Sequence, residues 1–155
     1  MKAFMDKEFM LQSPTAQHLY HAYAEGMPIC DYHCHIPPRE IYENRRFDNI
    51  AQVWLGGRNP DGSYFGDHYK WRVMRSNGVP EEYITGDKPD RERFQKFAEA
   101  LPMAIGNPMY HWTNLELHTF FGYDGVLNGD TAEEVWNLCN DKLQHDPKLT
   151  VRGLI

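Results

Sequence analysis

Two histidines separated by a single residue, His33 and His35, are the side chains of this sequence best placed to bind a metal ion together. The residues from Pro28 onward are apolar and β-prone, and Pro37-Pro38 ends the run, so we predict one buried strand. Because strand side chains alternate between two faces, both imidazoles point the same way. Neutral imidazole is a good ligand for zinc and similar divalent ions. The pattern also fits ordinary surface or packed histidines, and both interpretations stay open on these residues alone.

A second group of polar side chains lies on a predicted helix over residues 68–77. At helical spacing His68, Arg72 and Arg75 share one face, and Tyr69 adjoins it. Arginine can bind a carboxylate through two parallel hydrogen bonds, while histidine and tyrosine can transfer protons. These residues therefore suggest a site for an anionic substrate, beside the alternative of a solvated cationic helix face.

A third group, Tyr110, His111, Trp112 and Asn114, follows a predicted helix start at residue 107. We expect these side chains to pack beneath the start of that helix. The alternative is a pocket lined by His111 and Trp112.

Composition limits the class of protein. The chain has 155 residues, 41% hydrophobic and 14% aromatic, so we expect a packed interior. A net charge of −6 argues against a nucleic-acid-binding surface, which needs a basic patch. No run approaches the ~20 apolar residues of a membrane span, and the N-terminus lacks the apolar core of a signal peptide. Three cysteines without disulfide-like spacing favour the reducing cytoplasm.

Helical patterns outnumber strand patterns along the chain. Helical segments are predicted at residues 13–26, 41–42, 48–55, 68–77, 87–101, 107–121 and 131–144. The last residues, 149–155, are predicted to begin a second strand. A buried parallel strand needs neighbours on both sides, and this chain does not supply them. We therefore expect the N-terminal part of a larger protein.

Three ordered blocks are more specific than the histidine pair alone. They are Asp31-Tyr-His-Cys-His-Ile-Pro-Pro38, Gly66-Asp-His-Tyr-Lys-Trp-Arg72 with Met74-Arg75 and Asn77-Gly78, and Ile105-Gly-Asn-Pro-Met-Tyr-His-Trp112 with Leu115-Glu-Leu117. With Glu134-Val-Trp-Asn137, Cys139-Asn140 and Arg152-Gly153, these blocks resemble the N-terminal part of the uronate isomerase (glucuronate isomerase) family. The resemblance covers nearly the whole chain.

The resemblance implies a fold class. The family belongs to the amidohydrolase superfamily of metal-dependent (β/α)8, or TIM-type, barrels. The chain is then mainly α: an N-terminal helical segment plus the first strand of an incomplete barrel. Residues 1–35 would hold the N-terminal helix and barrel strand one (29–35), residues 36–148 a helical insertion, and residues 149–155 the start of the next strand.

The resemblance also implies an activity. The family interconverts D-glucuronate and D-fructuronate, and D-galacturonate and D-tagaturonate. His33 and His35 match its metal ligands, most simply for zinc, and His68 and Tyr69 match its active-site His-Tyr pair. Arg72 and Arg75 are candidates for binding the anionic hexuronate. The expected partner is this small molecule, with no nucleic acid and no membrane, in a cytoplasmic enzyme that allows a homo-oligomer.

Two departures and two alternatives accompany this interpretation. The loop over residues 57–65 looks longer than in the shortest family members, and the family's later metal-binding aspartate and substrate-binding arginine would lie beyond Ile155. We therefore expect the isolated chain to be inactive. A metal-dependent hydrolase of the same superfamily would use His33 and His35 equally well. A non-catalytic helical module would leave both histidines idle.

Overall fold

Helices dominate the computed structural model, which describes residues 4–59 and 61–155 and confirms the mainly α prediction. The α-helices are α1 (Pro14–Leu19), α2 (Pro38–Glu43), α3 (Ile50–Leu55), α4 (His68–Ser76), α5 (Asp90–Ala100), α6 (Pro108–Phe121) and α7 (Ala132–His145). Short 3-10 turns occupy Glu81–Tyr83, Leu101–Ala104 and Val151–Gly153. Two strands, β1 (Gly57–Arg58) and β2 (Tyr64–Phe65), pair antiparallel, with Gly57 opposite Phe65. The chain divides into two compact units, one ending at His35 and the other spanning Ile36–Ile155.

Both predicted barrel strands are wrong for this structure. Residues 28–35 form no regular element, and Ile29 and Tyr32 are 94% and 96% exposed rather than buried. Residues 149–155 contain the turn Val151–Gly153 instead of a strand. A strand exists only where a neighbour accepts and donates its backbone hydrogen bonds. Among the described residues the two strands of the small hairpin pair with each other, so neither segment has a strand to join.

The first unit is built around α1 and a π-helical turn, Tyr20–Ala24, that continues it. Ser13 caps α1, because its hydroxyl accepts the backbone N–H of Ala16 at 3.1 Å. His21 lies between two carboxylates, with Nδ1 3.0 Å from Glu25 and Nε2 3.3 Å from Glu8. These hydrogen bonds, that of Glu25 foremost, raise the pKa of His21 above its ordinary value. The predicted helix over residues 13–26 is therefore present, with a widened second turn.

The second unit packs around α5. Phe94 and Phe97 of this helix are fully buried, and the indole of Trp54 on α3 lies 6.0 Å and 5.8 Å from their ring centres. Burying one such ring stabilises the fold by about 1.5–3 kcal/mol. Helix α7 contributes four fully buried residues to the same core, Ala132, Val135, Cys139 and Leu143. This core fixes α3, α5 and α7, and α4 packs against α5 beside it.

Arginines fasten the two ends of the second unit to each other. Arg152 donates to the carbonyl oxygens of Ile41 at 2.8 Å and Tyr42 at 2.7 Å. Arg46 donates to those of Leu143 at 2.5 Å and Asp146 at 2.9 Å. Partners about a hundred residues apart in sequence are thus held together by charge-assisted hydrogen bonds.

No helix within residues 4–59 and 61–155 combines the length and apolar character needed to cross a membrane.

An ion pair closes the C-terminal end of α4. The Arg75 guanidinium donates two hydrogen bonds to Glu81, at 2.8 Å and 2.5 Å, and the Thr85 hydroxyl donates a third at 2.5 Å. Arg75, with Thr85 second, lowers the pKa of Glu81 to about 2. The pair fixes the turn Glu81–Tyr83 on the end of α4.

This ion pair predicts an acid-sensitive contribution to stability. Because the pKa of Glu81 falls from 4.5 to about 2 on folding, the contribution is complete above pH 4.5 and is lost as pH falls toward 2. The pair is half exposed, so we expect a loss of no more than about 1 kcal/mol. Urea unfolding across this window should show a shallower acid decline in Glu81→Gln than in wild type.

The neighbouring Glu82→Gln is the matched control, since Glu82 meets Lys88 only at 3.8 Å. It should retain the wild-type decline. Equal declines in wild type and Glu81→Gln would contradict the assignment.

Candidate functional site

The first turn of α4 presents His68 and Tyr69, and Asp67 holds this turn in place. Asp67 is the N-cap of the helix: its Oδ1 accepts the backbone N–H of Tyr69 at 2.8 Å. Its Oδ2 accepts a hydrogen bond from Lys70 Nζ at 3.1 Å. The carboxylate is therefore held from two sides, and the direction in which α4 begins is fixed.

A narrow neck between α3 and α4 sets the position of that turn. The neck consists of Gly56, where the chain leaves α3 for the hairpin, and Gly66, where it leaves the hairpin for α4. Both glycines have positive φ, of 69° and 158°. A Cβ on Gly56 would lie 1.8 Å from the Phe65 carbonyl oxygen, and one on Gly66 would lie 2.4 Å from the Leu55 oxygen. Only glycine allows the two strands of backbone to approach this closely.

The buried guanidinium of Arg93 secures the same neck from the α5 side. Arg93 is 4% exposed and donates to the carbonyl oxygens of Leu55 at 3.3 Å, Gly56 at 3.2 Å and Ile84 at 3.0 Å. The Trp71 indole also donates to the Leu55 oxygen, at 3.0 Å. These donors satisfy carbonyl groups at the end of α3 that the helix itself leaves unpaired.

Three of the predicted site residues lie together at the exposed start of α4. The rings of His68 and Tyr69 are 4.3 Å apart, tilted by 32°, and the Arg72 guanidinium lies 5.6 Å from the centre of the Tyr69 ring. Tyr69 is 46% exposed. The group offers an imidazole, a phenol and a cation at one surface, which suits proton transfer beside an anion.

Arg75 follows a different course from Arg72, although both were predicted to bind substrate. Its Nε and Nη2 already donate to Glu81, so fewer of its donors are available to a substrate carboxylate. Arg72 is therefore the better placed of the two. The assignment of both arginines remains a prediction.

The third polar group contains a packed residue, as expected. Asn114 is fully buried; its amide donates to the Tyr110 oxygen at 2.8 Å and its oxygen accepts from the Leu127 N–H at 3.0 Å. It ties α6 to the loop before α7. Trp112, by contrast, is 54% exposed.

His33 and His35 lie side by side in the first unit even though no strand carries them. Their Nε2 atoms are 3.1 Å apart and their ring centres 5.1 Å apart. The Asp31 carboxylate accepts the backbone N–H of His33 at 3.0 Å, which folds the chain locally. Two ligands at about 2.0–2.1 Å from a tetrahedral ion lie about 3.4 Å apart, so this pair fits adjacent positions on one metal. The prediction that the two imidazoles face the same way is confirmed.

Sequence reasoning missed Asp67 and Lys70. Asp67 stands immediately before a predicted helix, which is the usual N-cap signature, so a signal for it was present. Lys70 is only 6% exposed, although a charged side chain ordinarily lies in solvent. Its spacing from Val73 and Met74, at i+3 and i+4, was the available signal for the core face.

Comparison with known proteins places these residues in a wider context. The profile of the glucuronate isomerase family matches residues 1–155. A uronate isomerase of Lachnospira eligens is 68% identical over 155 residues, which are 100% of this chain and 31% of that protein. One of Lachnoclostridium phytofermentans is 58% identical over 155 residues, with the same coverage of each. The crystal structure of uronate isomerase from Thermotoga maritima matches 96% of this chain and 30% of its own, with TM-score 0.81 and 34% identity. The chain thus spans 31% of the length of these two curated relatives.

The glycine neck yields a prediction about stability. Gly56→Ala should destabilise the protein by more than about 3 kcal/mol, because the added methyl collides with backbone that cannot move independently. Gly62→Ala is the matched control: its φ is 84°, but the methyl would meet nothing within 4 Å. Gly62→Ala should lower the free energy of unfolding by only about 1–2 kcal/mol, the cost of an alanine in the left-handed conformation. Denaturant unfolding measures both, and equal costs would show that the close approach is unimportant.

Proposed function

Because this chain belongs to the glucuronate isomerase family, we propose that the protein carrying residues 1–155 is an isomerase of hexuronates. It interconverts D-glucuronate and D-fructuronate, and D-galacturonate and D-tagaturonate, as an aldose–ketose isomerase. The observation that carries the proposal is the match of the family profile to every residue of the chain. The exposed group on α4 supports it, since the reaction needs proton-handling side chains and a cation at one surface.

The proposed chemistry moves a proton between C2 and C1 of the sugar through an enediol. The C2 proton becomes more acidic when the carbonyl oxygen at C1 receives a hydrogen bond. His68 and Tyr69 are the proposed donors or proton relays, because a phenol and an imidazole 4.3 Å apart can act on neighbouring oxygens of one substrate. Their position at the start of a capped helix limits how far either can move.

Arg72 is the proposed partner of the substrate carboxylate. Its guanidinium lies over the Tyr69 ring at 5.6 Å, so a carboxylate bound to it would bring the sugar toward the proton-handling pair. Arg75 is the second candidate, with its Nε and Nη2 already donating to Glu81.

We also propose that His33 and His35 hold a divalent metal ion, most simply zinc. The 3.1 Å separation of their Nε2 atoms supports this, as does the affinity of neutral imidazole for such ions. When bound, the ion supplies Lewis-acid polarisation or holds substrate oxygens. To coordinate it, each Nε2 must give up its hydrogen-bonding role toward the other and present its lone pair.

The wider setting of the chain is part of the same proposal. We place the protein in the amidohydrolase superfamily as a cytoplasmic (β/α)8 barrel enzyme, with residues 36–148 as a helical insertion. The compact helical core around α5 supports residues 36–148 as a helical unit, and three cysteines without disulfide-like spacing support the cytoplasmic location.

An assay of the whole protein that contains residues 1–155, rather than of the isolated chain, tests the activity directly. We expect it to convert D-glucuronate to D-fructuronate, with His68→Asn lowering kcat by about 100-fold or more. His145→Asn is the matched control, since the His145 side chain is 72% exposed on α7, where it lies 3.0 Å from the Asp141 carboxylate. Hydrolysis of lactones or amides with no fructuronate formed would instead identify a hydrolase.

Metal analysis tests the histidine pair without relying on turnover. His33→Asn should lower the affinity for zinc by about 100-fold or more, because it removes one of two adjacent ligands. Elemental analysis after dialysis against a metal buffer measures this. His18→Asn is the control in the same unit, its ring lying against Tyr23. Equal zinc content in wild type and His33→Asn would remove the pair from the site.

A further inference from the structure

Lys70 occupies a core position on α4 although it carries a charge. Its side chain is 8% exposed, and it shares the inner face of the helix with Val73 and Met74. An apolar side chain is the ordinary occupant of such a position. Lysine is rarely buried unless a partner compensates its charge.

The partner of Lys70 is the carboxylate that caps the helix. Lys70 Nζ lies 3.1 Å from Asp67 Oδ2, and it lies 6.0 Å from the centre of the Trp54 ring. The other oxygen of Asp67 accepts the N–H of Tyr69 at 2.8 Å. One carboxylate thus links a buried cation to the backbone of the turn that presents His68 and Tyr69.

Stability alone does not account for this arrangement. A buried ion pair contributes little net stability, because desolvation of both charges offsets their attraction, and well-packed apolar residues often do as well. What the pair does supply is a fixed orientation of the Asp67 carboxylate. A capping carboxylate that also accepts a hydrogen bond from a cation is hindered from rotating away from the first turn of the helix. The Lys96–Glu99 pair on α5 shows the contrast: it has the same spacing, but both side chains are more than a third exposed.

We propose that Lys70 is a positioning residue for the reaction. Through Asp67 it fixes the first turn of α4, and so it sets where the His68 imidazole and the Tyr69 phenol meet the substrate. The inference rests on the proposed function for its consequence in turnover, but its structural part concerns the helix start alone.

Hydrogen exchange tests the structural part. In Lys70→Met, peptides covering residues 66–73 should exchange about fivefold faster or more, while peptides from α5 and α7 stay at wild-type rates. Lys96→Met, the matched control, should leave residues 66–73 unchanged. Unchanged exchange in Lys70→Met overturns the proposal, and so does an increase that spreads equally through α5 and α7.

Steady-state kinetics test the consequence. Lys70→Met should lower kcat by about tenfold to 100-fold with KM within about twofold, because misplacement weakens transition-state contacts more than binding. Lys70→Arg should recover most of kcat, since it keeps the charge. Lys70→Gln, the second variant if methionine is not tolerated, should shift both readouts in the same direction by less. A kcat of Lys70→Met equal to that of Lys96→Met would overturn the proposal. If the whole wild-type protein that contains residues 1–155 has no isomerase activity, the proposed function is refuted, and hydrogen exchange alone decides whether Lys70 positions the helix start.

Discussion

The buried guanidinium of Arg93 is the interaction on which the exposed group of α4 depends. It gathers carbonyl oxygens from the end of α3 and from Ile84, and its own charge is met by Asp90 at 3.0 Å. The second oxygen of Asp90 accepts a hydrogen bond from Asn49, the residue that caps α3. One ion pair, between a buried guanidinium and a partly exposed carboxylate, therefore holds both ends of a six-residue helix. Without it, several buried carbonyl groups would lose their donors, which costs more than the pair itself contributes.

Local sequence signals predicted the helices well because their information is local. Asn107 followed by Pro108 marks the start of α6, and the structure shows Asn107 accepting the N–H of Met109 at 2.9 Å. The predicted start of the last helix, at residue 131, also agrees with the structure, although the Thr131 side chain does not cap α7. The Thr131 hydroxyl donates to the Val126 oxygen at 2.9 Å and caps nothing in the helix. The strands failed because a strand depends on partners that its own residues do not encode.

The candidate site shows how far spacing alone can lead. Helical periodicity predicted one polar group at the start of α4, and the structure places both His68 and Arg72 beside Tyr69. His33 and His35 also lie side by side, although the strand from which their pairing was predicted is absent. Periodicity could not distinguish the three cations of α4, since their fates depend on neighbours. Lys70 turns inward to a capping carboxylate, Arg72 lies on an aromatic ring, and Arg75 meets an acid from the following turn. Three cationic residues of one helix thus have three different structural environments.

The arginine fastening between the ends of the second unit has an evolutionary consequence. Arg152 and Arg46 bring the entry and exit of a stretch of more than a hundred residues next to each other. A compact unit whose two ends already meet leaves only a short distance between the points where its chain enters and leaves. The entropic cost of bringing together the ends of so long a stretch of chain is offset by the folding of the unit itself. Loops on the far side of such a unit can lengthen or shorten during evolution while the distance between its two ends stays the same.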